Sequence, residues 1–337
     1  MLREKEAGVA GLLAVISLLS ILFLINLAAC TPQDPIGSEP PPAASPTPPP
    51  VEKFTMIANF PIIQDSKMAG TLALQKALNA RGAKLAEDGS YGDKTTAAVK
   101  AQKTAIGLAP NGYAGLATLE ALGLRVAGER PLLWTGRRAG VDEWTSHLVS
   151  EIEKRPTLLA VELVDAGEWC PNWSKLSRAD RVQFFAHFIA GMTRWESNNN
   201  PNSSTPECKK GECLYNGNCF THPTLGQCMK GGHAADGGVV ISRGPIQLSF
   251  GSALGLGCKL SKPSDLNDPF MNFTCGVQLL NGYVTEDRRI AGKVAGKWKG
   301  MARYFAVVRG TRTYTEMSLN HLRGFMLDFP GCVGGGS

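Results

Sequence analysis

Glu196 closes a run that begins at Ser177 and passes straight into Ser197 and the stretch Asn198-Asn-Asn-Pro201. Val182, Phe185, Phe188, Ile189, Met192 and Trp195 recur at intervals of three and four, which predicts an amphipathic helix with one apolar stripe. Ser177 with Asp180 reads as its start, and Asn198 to Pro201 as its stop. Glu196 then sits on the last turn, where the helix macrodipole concentrates partial negative charge. The dipole and desolvation beside Trp195 and Met192 both favour the protonated carboxyl. A carboxylic acid kept neutral near pH 7 is equipped to protonate a glycosidic oxygen. The plain alternative is a solvated glutamate at a frayed helix end.

About fifty residues further on, Ile241-Ser-Arg-Gly-Pro-Ile-Gln-Leu-Ser249 offers a second group of polar side chains. Gly244-Pro245 can bring backbone close to a ligand, and Gln247 carries both a donor and an acceptor for sugar amides and hydroxyls. Downstream, Trp298-Lys-Gly-Met-Ala-Arg-Tyr304-Phe-Ala-Val-Val-Arg-Gly310 adds a tyrosine, although Tyr304, Val307 and Val308 also fit a helix buried in a core. A retaining hydrolase needs a second carboxylate. Asp236 is the nearest candidate, and no motif surrounds it.

Trp195-Glu196-Ser197 and Ser242-Arg-Gly-Pro-Ile-Gln247-Leu-Ser249 together resemble the two signature blocks of the lysozyme-like soluble lytic transglycosylases. The resemblance implies an α+β lysozyme-like catalytic domain. It implies that Glu196 is the acid/base, that Ser197, Gln247 and Ser249 line the glycan cleft, and that Tyr304 hydrogen-bonds near the acid. Two departures stand out: Pro245-Ile246 replaces the usual Leu-Met, and Phe305 replaces the Asn that succeeds the family's Tyr. The implied reaction cleaves between N-acetylmuramic acid and N-acetylglucosamine and closes a 1,6-anhydro ring, with hydrolysis to reducing ends as the alternative. A wall peptidase and a non-catalytic wall anchor are further readings. The sequence shows no His-rich zinc constellation or Cys-His arrangement to support the peptidase.

These residues need a scaffold, and the rest of the chain divides readily. Residues 1–30 are a charged start and an apolar run ending in Leu27-Ala-Ala-Cys30, which resembles a bacterial lipoprotein signal with Cys30 as the lipidated residue. An uncleaved membrane anchor is the alternative. Both put the remainder of the chain outside the cytoplasmic membrane, and Thr31 in place of Asp favours the outer membrane, facing the periplasm. Residues 31–53 are rich in Pro, Ala and Ser and form an extended spacer of about 60 Å.

Residues 54–130 contain two helical segments, Thr71 to Ala80 and Lys94 to Thr104, with turn signals at Asp88-Gly89 and Asn111-Gly112. This spacing resembles the three-helix peptidoglycan-binding domain. Residues 131–337 suffice for one catalytic domain. A supporting helix spans Val141 to Lys154, its glutamates solvated. The expected class is therefore mainly α.

Nine cysteines are present. Without Cys30, the even set Cys170, Cys208, Cys213, Cys219, Cys228, Cys258, Cys275 and Cys332 suits disulfides in an oxidising compartment. Four of these, with His222 and His233, lie in a Gly-rich insert, but their intervals are not the paired Cys-x-x-Cys type of a zinc site, so no metal is expected. Pairing stays open. The net charge of +6 and the basic run from Arg288 to Arg312 suit an anionic wall. No nucleic-acid-binding motif accompanies the charge. The expectation is a monomer, without cofactor, working on peptidoglycan strands.

Overall fold

The computed structural model describes residues 54–61, 67–128, 130–206, 234–236 and 240–333. The signal segment with Cys30, the spacer, and Cys208, Cys213, Cys219, Cys228, His222 and His233 lie outside the described residues. The described part is mainly helical, and none of its helices is long and apolar enough to cross a membrane.

The first module runs β1 (Thr55–Ile57), α1 (Ala69–Asn79), α2 (Asp93–Ala105), α3 (Leu116–Ala121) and β2 (Leu124–Val126). Gln75, buried on α1, fixes the Asp88-Gly89 turn: its Nε2 donates to Asp88 Oδ1 at 2.9 Å and its Oε1 accepts from Gly89 N at 2.8 Å. The parallel pairing of β1 with β2, Thr55 opposite Leu124, was not legible from the helical spacing.

From Glu52 onward the chain forms one compact unit, so this module is docked on the rest. Lys103 and Asp328 make an ion pair at 3.2 Å with side chains 1% and 0% exposed. Gly324 has no Cβ because the Tyr113 ring occupies that space.

The second part contributes α4 (Val141–Glu153), α5 (Pro156–Ala160), α6 (Ala166–Trp169) and α7 (Arg178–Glu196). Next come β3 (Ser204–Pro206), β4 (Ile241–Arg243), β5 (Leu248–Ser249), α8 (Phe250–Gly255) and α9 (Pro269–Asp287). The hairpin β6 (Ala291–Val294) and β7 (Lys297–Gly300), then α10 (Thr313–Leu327), complete it.

Helix α7 is the axis of this part, packed by α4 and α10. It starts at the expected capping box, Ser177 Oγ accepting from Asp180 N at 3.1 Å. The expected single stripe is too narrow: Phe184, Ala186, His187 and Ala190 are buried as well as Phe185, Phe188 and Ile189. Apolar residues on every side mark a central helix rather than a surface one. At its start the buried Arg181 lies over Trp173 and donates to the carbonyls of Leu159 and Trp173 at 3.0 and 3.2 Å.

On α4, Glu151 is buried and pairs with Lys154 at 2.6 Å, contrary to the expectation of solvated glutamates. The basic run is also partly structural, since Arg303 pairs with Glu286 at 2.8 Å and Lys299 with Asp287 at 2.9 Å. Disulfides join Cys170 to Cys332 and Cys258 to Cys275, separated by 162 and 17 residues. In chain-entropy terms such loops stabilise by roughly 3–5 kcal/mol each.

Candidate active site

Glu196 is the final residue of α7, half-buried, as the periodicity predicted. The helix stops because Asn198 and Asn199 adopt left-handed conformations, φ 53° and 59°. Asn tolerates that region better than most residues. Asn199 is buried, its amide N–H donating to Thr193 O at 3.1 Å and its Oδ1 accepting from Thr193 Oγ1 at 2.6 Å. The carboxylate is therefore held at a firm helix terminus and not at a frayed one.

Ser197 joins this terminus to the second signature block. Its hydroxyl donates to Pro245 O at 2.7 Å and accepts from Asn200 N at 3.1 Å. Strands β4 and β5 pair antiparallel, Ser242 opposite Ser249 and Arg243 opposite Leu248, leaving Gly244 to Gln247 as the turn. Gly244 has φ 78°, and a Cβ there would strike Leu266 O and the Asn272 side chain. Asn272, fully buried on α9, pins the turn through three bonds. Its Oδ1 accepts from Ile246 N at 3.0 Å, and its Nδ2 donates to Arg243 O at 2.9 Å and Leu266 O at 3.0 Å. Ile246 packs where Gly276 lacks a Cβ, so the departure from Leu-Met fills the core beneath the turn.

Gln247 is buried, with φ 52°. Its Nε2 donates to Gly244 O at 2.8 Å and Ser203 O at 3.2 Å, tying the turn to the segment after α7. Its Oε1 is a buried acceptor without a partner among the described residues. A non-glycine residue in this region, with an unsatisfied oxygen, is the kind of local cost found at functional sites.

Tyr304 does reach this block: its hydroxyl accepts from Ser249 N at 2.8 Å. The flanking residues form two short 3-10 turns, Met301–Arg303 and Ala306–Val308, so Tyr304 is not part of a buried α-helix. Ser249 Oγ is spent locally, donating to Ser252 Oγ at 2.8 Å at the start of α8. Ser197 and Ser249 are thus positioned as parts of the frame, with their hydroxyls already hydrogen-bonded.

Asp236 stands with its side chain 4% exposed and both oxygens on Arg243, at 2.6 and 3.0 Å. A carboxylate clamped by a guanidinium is a poor nucleophile, because its charge and lone pairs are already engaged. Among the described residues no group of three His, Cys, Asp or Glu side chains could hold a metal ion.

Tyr314 and His321, both on α10, pack against Trp195, the neighbour of Glu196, and the sequence reading did not single them out. The Tyr314 hydroxyl donates to Trp195 O at 2.6 Å, and its ring meets the Trp195 ring edge-on at 5.4 Å. Burial, and then the negative charge of Glu196, hold the Tyr314 hydroxyl above its ordinary range. His321 Nδ1 accepts from Trp195 Nε1 at 3.0 Å. Neither lies in a recognisable motif, and the chain separation from Trp195 is 119 and 126 residues.

Residues 68–122 match the peptidoglycan binding domain family. No curated protein matches the chain. Among solved structures, a glutamate-to-glutamine mutant of DslA is 33% identical, with a TM-score of 0.50, and the match covers 61% of this chain and 100% of that chain. A wild-type form of DslA matches with the same values. The chain belongs to the DslA family. DslA matches over its whole length, so this chain carries the DslA fold together with sequence beyond it.

Proposed function

We propose that this DslA-family chain cleaves peptidoglycan glycan between N-acetylmuramic acid and N-acetylglucosamine, with Glu196 as general acid and then base in a lysozyme-like catalytic domain. The observation that carries the reading is the link from Ser197 Oγ to Pro245 O, at 2.7 Å, which ties the end of the acid-bearing helix to the Gln247 turn. Two stretches about fifty residues apart in sequence become one frame beneath one carboxylate. The peptidoglycan binding domain at 68–122 supplies a wall-directed module on the same body and raises the local substrate concentration.

In the proposed reaction Glu196 gives its proton to the glycosidic oxygen, and the N-acetylglucosamine side leaves as an alcohol. The acetamido oxygen of the muramyl residue bonds to C1 as the C1–O bond breaks. The Glu196 carboxylate then removes the proton of the C6 hydroxyl, and O6 displaces the acetamido oxygen to close the 1,6-anhydro ring. Glu196 ends protonated, ready for another cycle. This route needs no second carboxylate, and the engagement of both Asp236 oxygens by Arg243 favours it over a glutamate–aspartate retaining hydrolase. Extracytoplasmic, lipid-anchored placement through Cys30, facing the wall from the outer membrane, completes the proposal.

The test is mass spectrometry of muropeptides released from purified peptidoglycan by the wild-type chain and by Glu196→Gln. Anhydro products, about 18 Da lighter than hydrated ones, should appear with the wild type and vanish in the variant. Hydrated products would make the reaction hydrolytic, and release undiminished by Glu196→Gln would remove the role given to Glu196.

A further inference from the structure

The Gln247 turn is fastened to α9 from both of its sides. Upstream, Asn272 accepts from Ile246 N and donates to Arg243 O, and Gly276 leaves room for the Ile246 side chain. Downstream, the chain runs from Ser249 through α8 and folds back on itself, Cys258 N donating to Ala253 O at 3.0 Å. Cys258 is then bonded covalently to Cys275 of α9. Asn272, Cys275 and Gly276 recur at i, i+3 and i+4, so they share one face of the helix, and all three are buried.

Gln278, the next residue along α9 to reach the same segment, supports the disulfide. Its Nε2 donates to Leu256 O and lies 3.3 Å from where a Cβ of Gly257 would stand; Gly257 itself adopts φ 81° as the chain leaves α8. The other disulfide joins Cys170, just after α6, to Cys332, beyond α10, and neither element carries a residue of the turn.

Hydrogen bonds and packing release a surface segment by local opening, at less cost than unfolding the whole chain. A covalent bond between the end of α8 and α9 does not open in that way, so residues 244–258 lose much of their freedom to lift from the helix. The side chain held in place is Gln247. Both of its donors are spent on Gly244 O and Ser203 O, and its buried Oε1 acceptor has no partner among the described residues. A polar group that acts at a reacting centre loses most of its effect when displaced by about 1 Å.

We propose that Cys258, Cys275 and Gln278 are positioning residues of the glycan-cleaving site. They hold the Gln247 turn down on α9, and Ser197 ties the upstream end of that turn to the helix terminus that bears Glu196. The effect on catalysis rests on the reaction proposed above; the fastening of the turn does not.

The experiment is hydrogen–deuterium exchange of the full chain in detergent, read by mass spectrometry, alongside glycan cleavage by the same preparations. Cys208, Cys213, Cys219 and Cys228 would also answer to an added reductant, so the bond is removed by substitution instead. The pair Cys258→Ser with Cys275→Ser should exchange about tenfold faster in residues 244–258 while α4 and α7 stay as in the wild type. Its kcat/KM for soluble glycan fragments should fall about tenfold at a temperature below its melting midpoint. Cys258→Val with Cys275→Ala restores apolar packing without the bond and should stay as loose and as slow. Cys170→Ser with Cys332→Ser should leave exchange in residues 244–258 unchanged.

Gln278→Met keeps both disulfides, and should loosen the same segment even if the serine pair does not fold. Unchanged exchange in residues 244–258, or equal acceleration in α7, overturns the inference. So does full recovery in the Val–Ala pair, which would leave only core packing, or a loosened turn with undiminished cleavage. A wild type that cleaves no glycan sinks the proposed reaction, and exchange alone then decides whether the strap holds the turn.

Discussion

The indole N–H of Trp195 donates to His321 Nδ1 at 3.0 Å, joining the residue beside Glu196 to a helix more than a hundred residues away in sequence. A face of the same His321 ring stacks on Tyr113 of the peptidoglycan binding module, centroids 5.0 Å apart and planes 11° from parallel. One buried imidazole therefore touches both the wall-binding module and the acid-bearing turn. His321→Phe keeps the ring but removes the acceptor, and an orphaned indole N–H costs roughly 1–3 kcal/mol. The expected result is a roughly tenfold loss of kcat with little change in KM, and recovery in His321→Gln, which restores an acceptor. Steady-state kinetics on soluble glycan fragments check it.

The ion pair of Lys103 with Asp328 fastens the module to the end of α10. Lys103 Nζ also donates to Asn111 Oδ1 at 3.0 Å and Tyr113 O at 3.2 Å, and Asp328 Oδ2 accepts from Thr118 N at 3.2 Å. Burial by itself pushes both groups toward their neutral forms; the short contact and the surrounding donors and acceptors favour the charged pair. Asp328→Ala strands a buried ammonium and should lower the unfolding free energy by about 3–5 kcal/mol. The double replacement Lys103→Met with Asp328→Leu should recover most of that, as denaturant titrations would show.

His187 makes stability pH-dependent in a defined direction. Its folded pKa, about 4, lies below the unfolded value of 6.5, so the unfolded chain binds the proton more readily. The stabilisation is whole above pH 6.5 and is lost as pH falls from there to about 4, amounting to about 3 kcal/mol. Guanidinium midpoints at pH 7 and pH 4.5 should differ by less in His187→Phe than in the wild type.

Asn272 holds the Gln247 turn through a side chain with no exposure. Asn272→Ala deletes three hydrogen bonds and leaves Ile246 N and two carbonyls unpaired, at a cost of about 3 kcal/mol. Glycan cleavage should fall in the same variant although Glu196 is untouched, and a thermal melt alongside the activity assay would separate the two effects.

Both ends of α7 were legible in the order of residues alone. The Ser177-Asp180 cap and the Asn198-Asn199 stop depend on residues within a turn of each other, so local chemistry suffices to put Glu196 on the last turn. The peptidoglycan binding module was legible for the same reason, its turns being built by near neighbours such as Gln75 and Gly89. Periodicity misjudged how deeply α7 is buried, because a stripe records the face that must be covered and not how many partners cover it.

Other features came only with the packed chain: Asn272 beneath the turn, Tyr314 and His321 beside Trp195, and Asp236 lost to Arg243. So did the pairing of Cys170 with Cys332, which any local reading leaves open. Each joins groups on different elements, often more than a hundred residues apart, and such contacts form only when packing of the whole core brings those elements together.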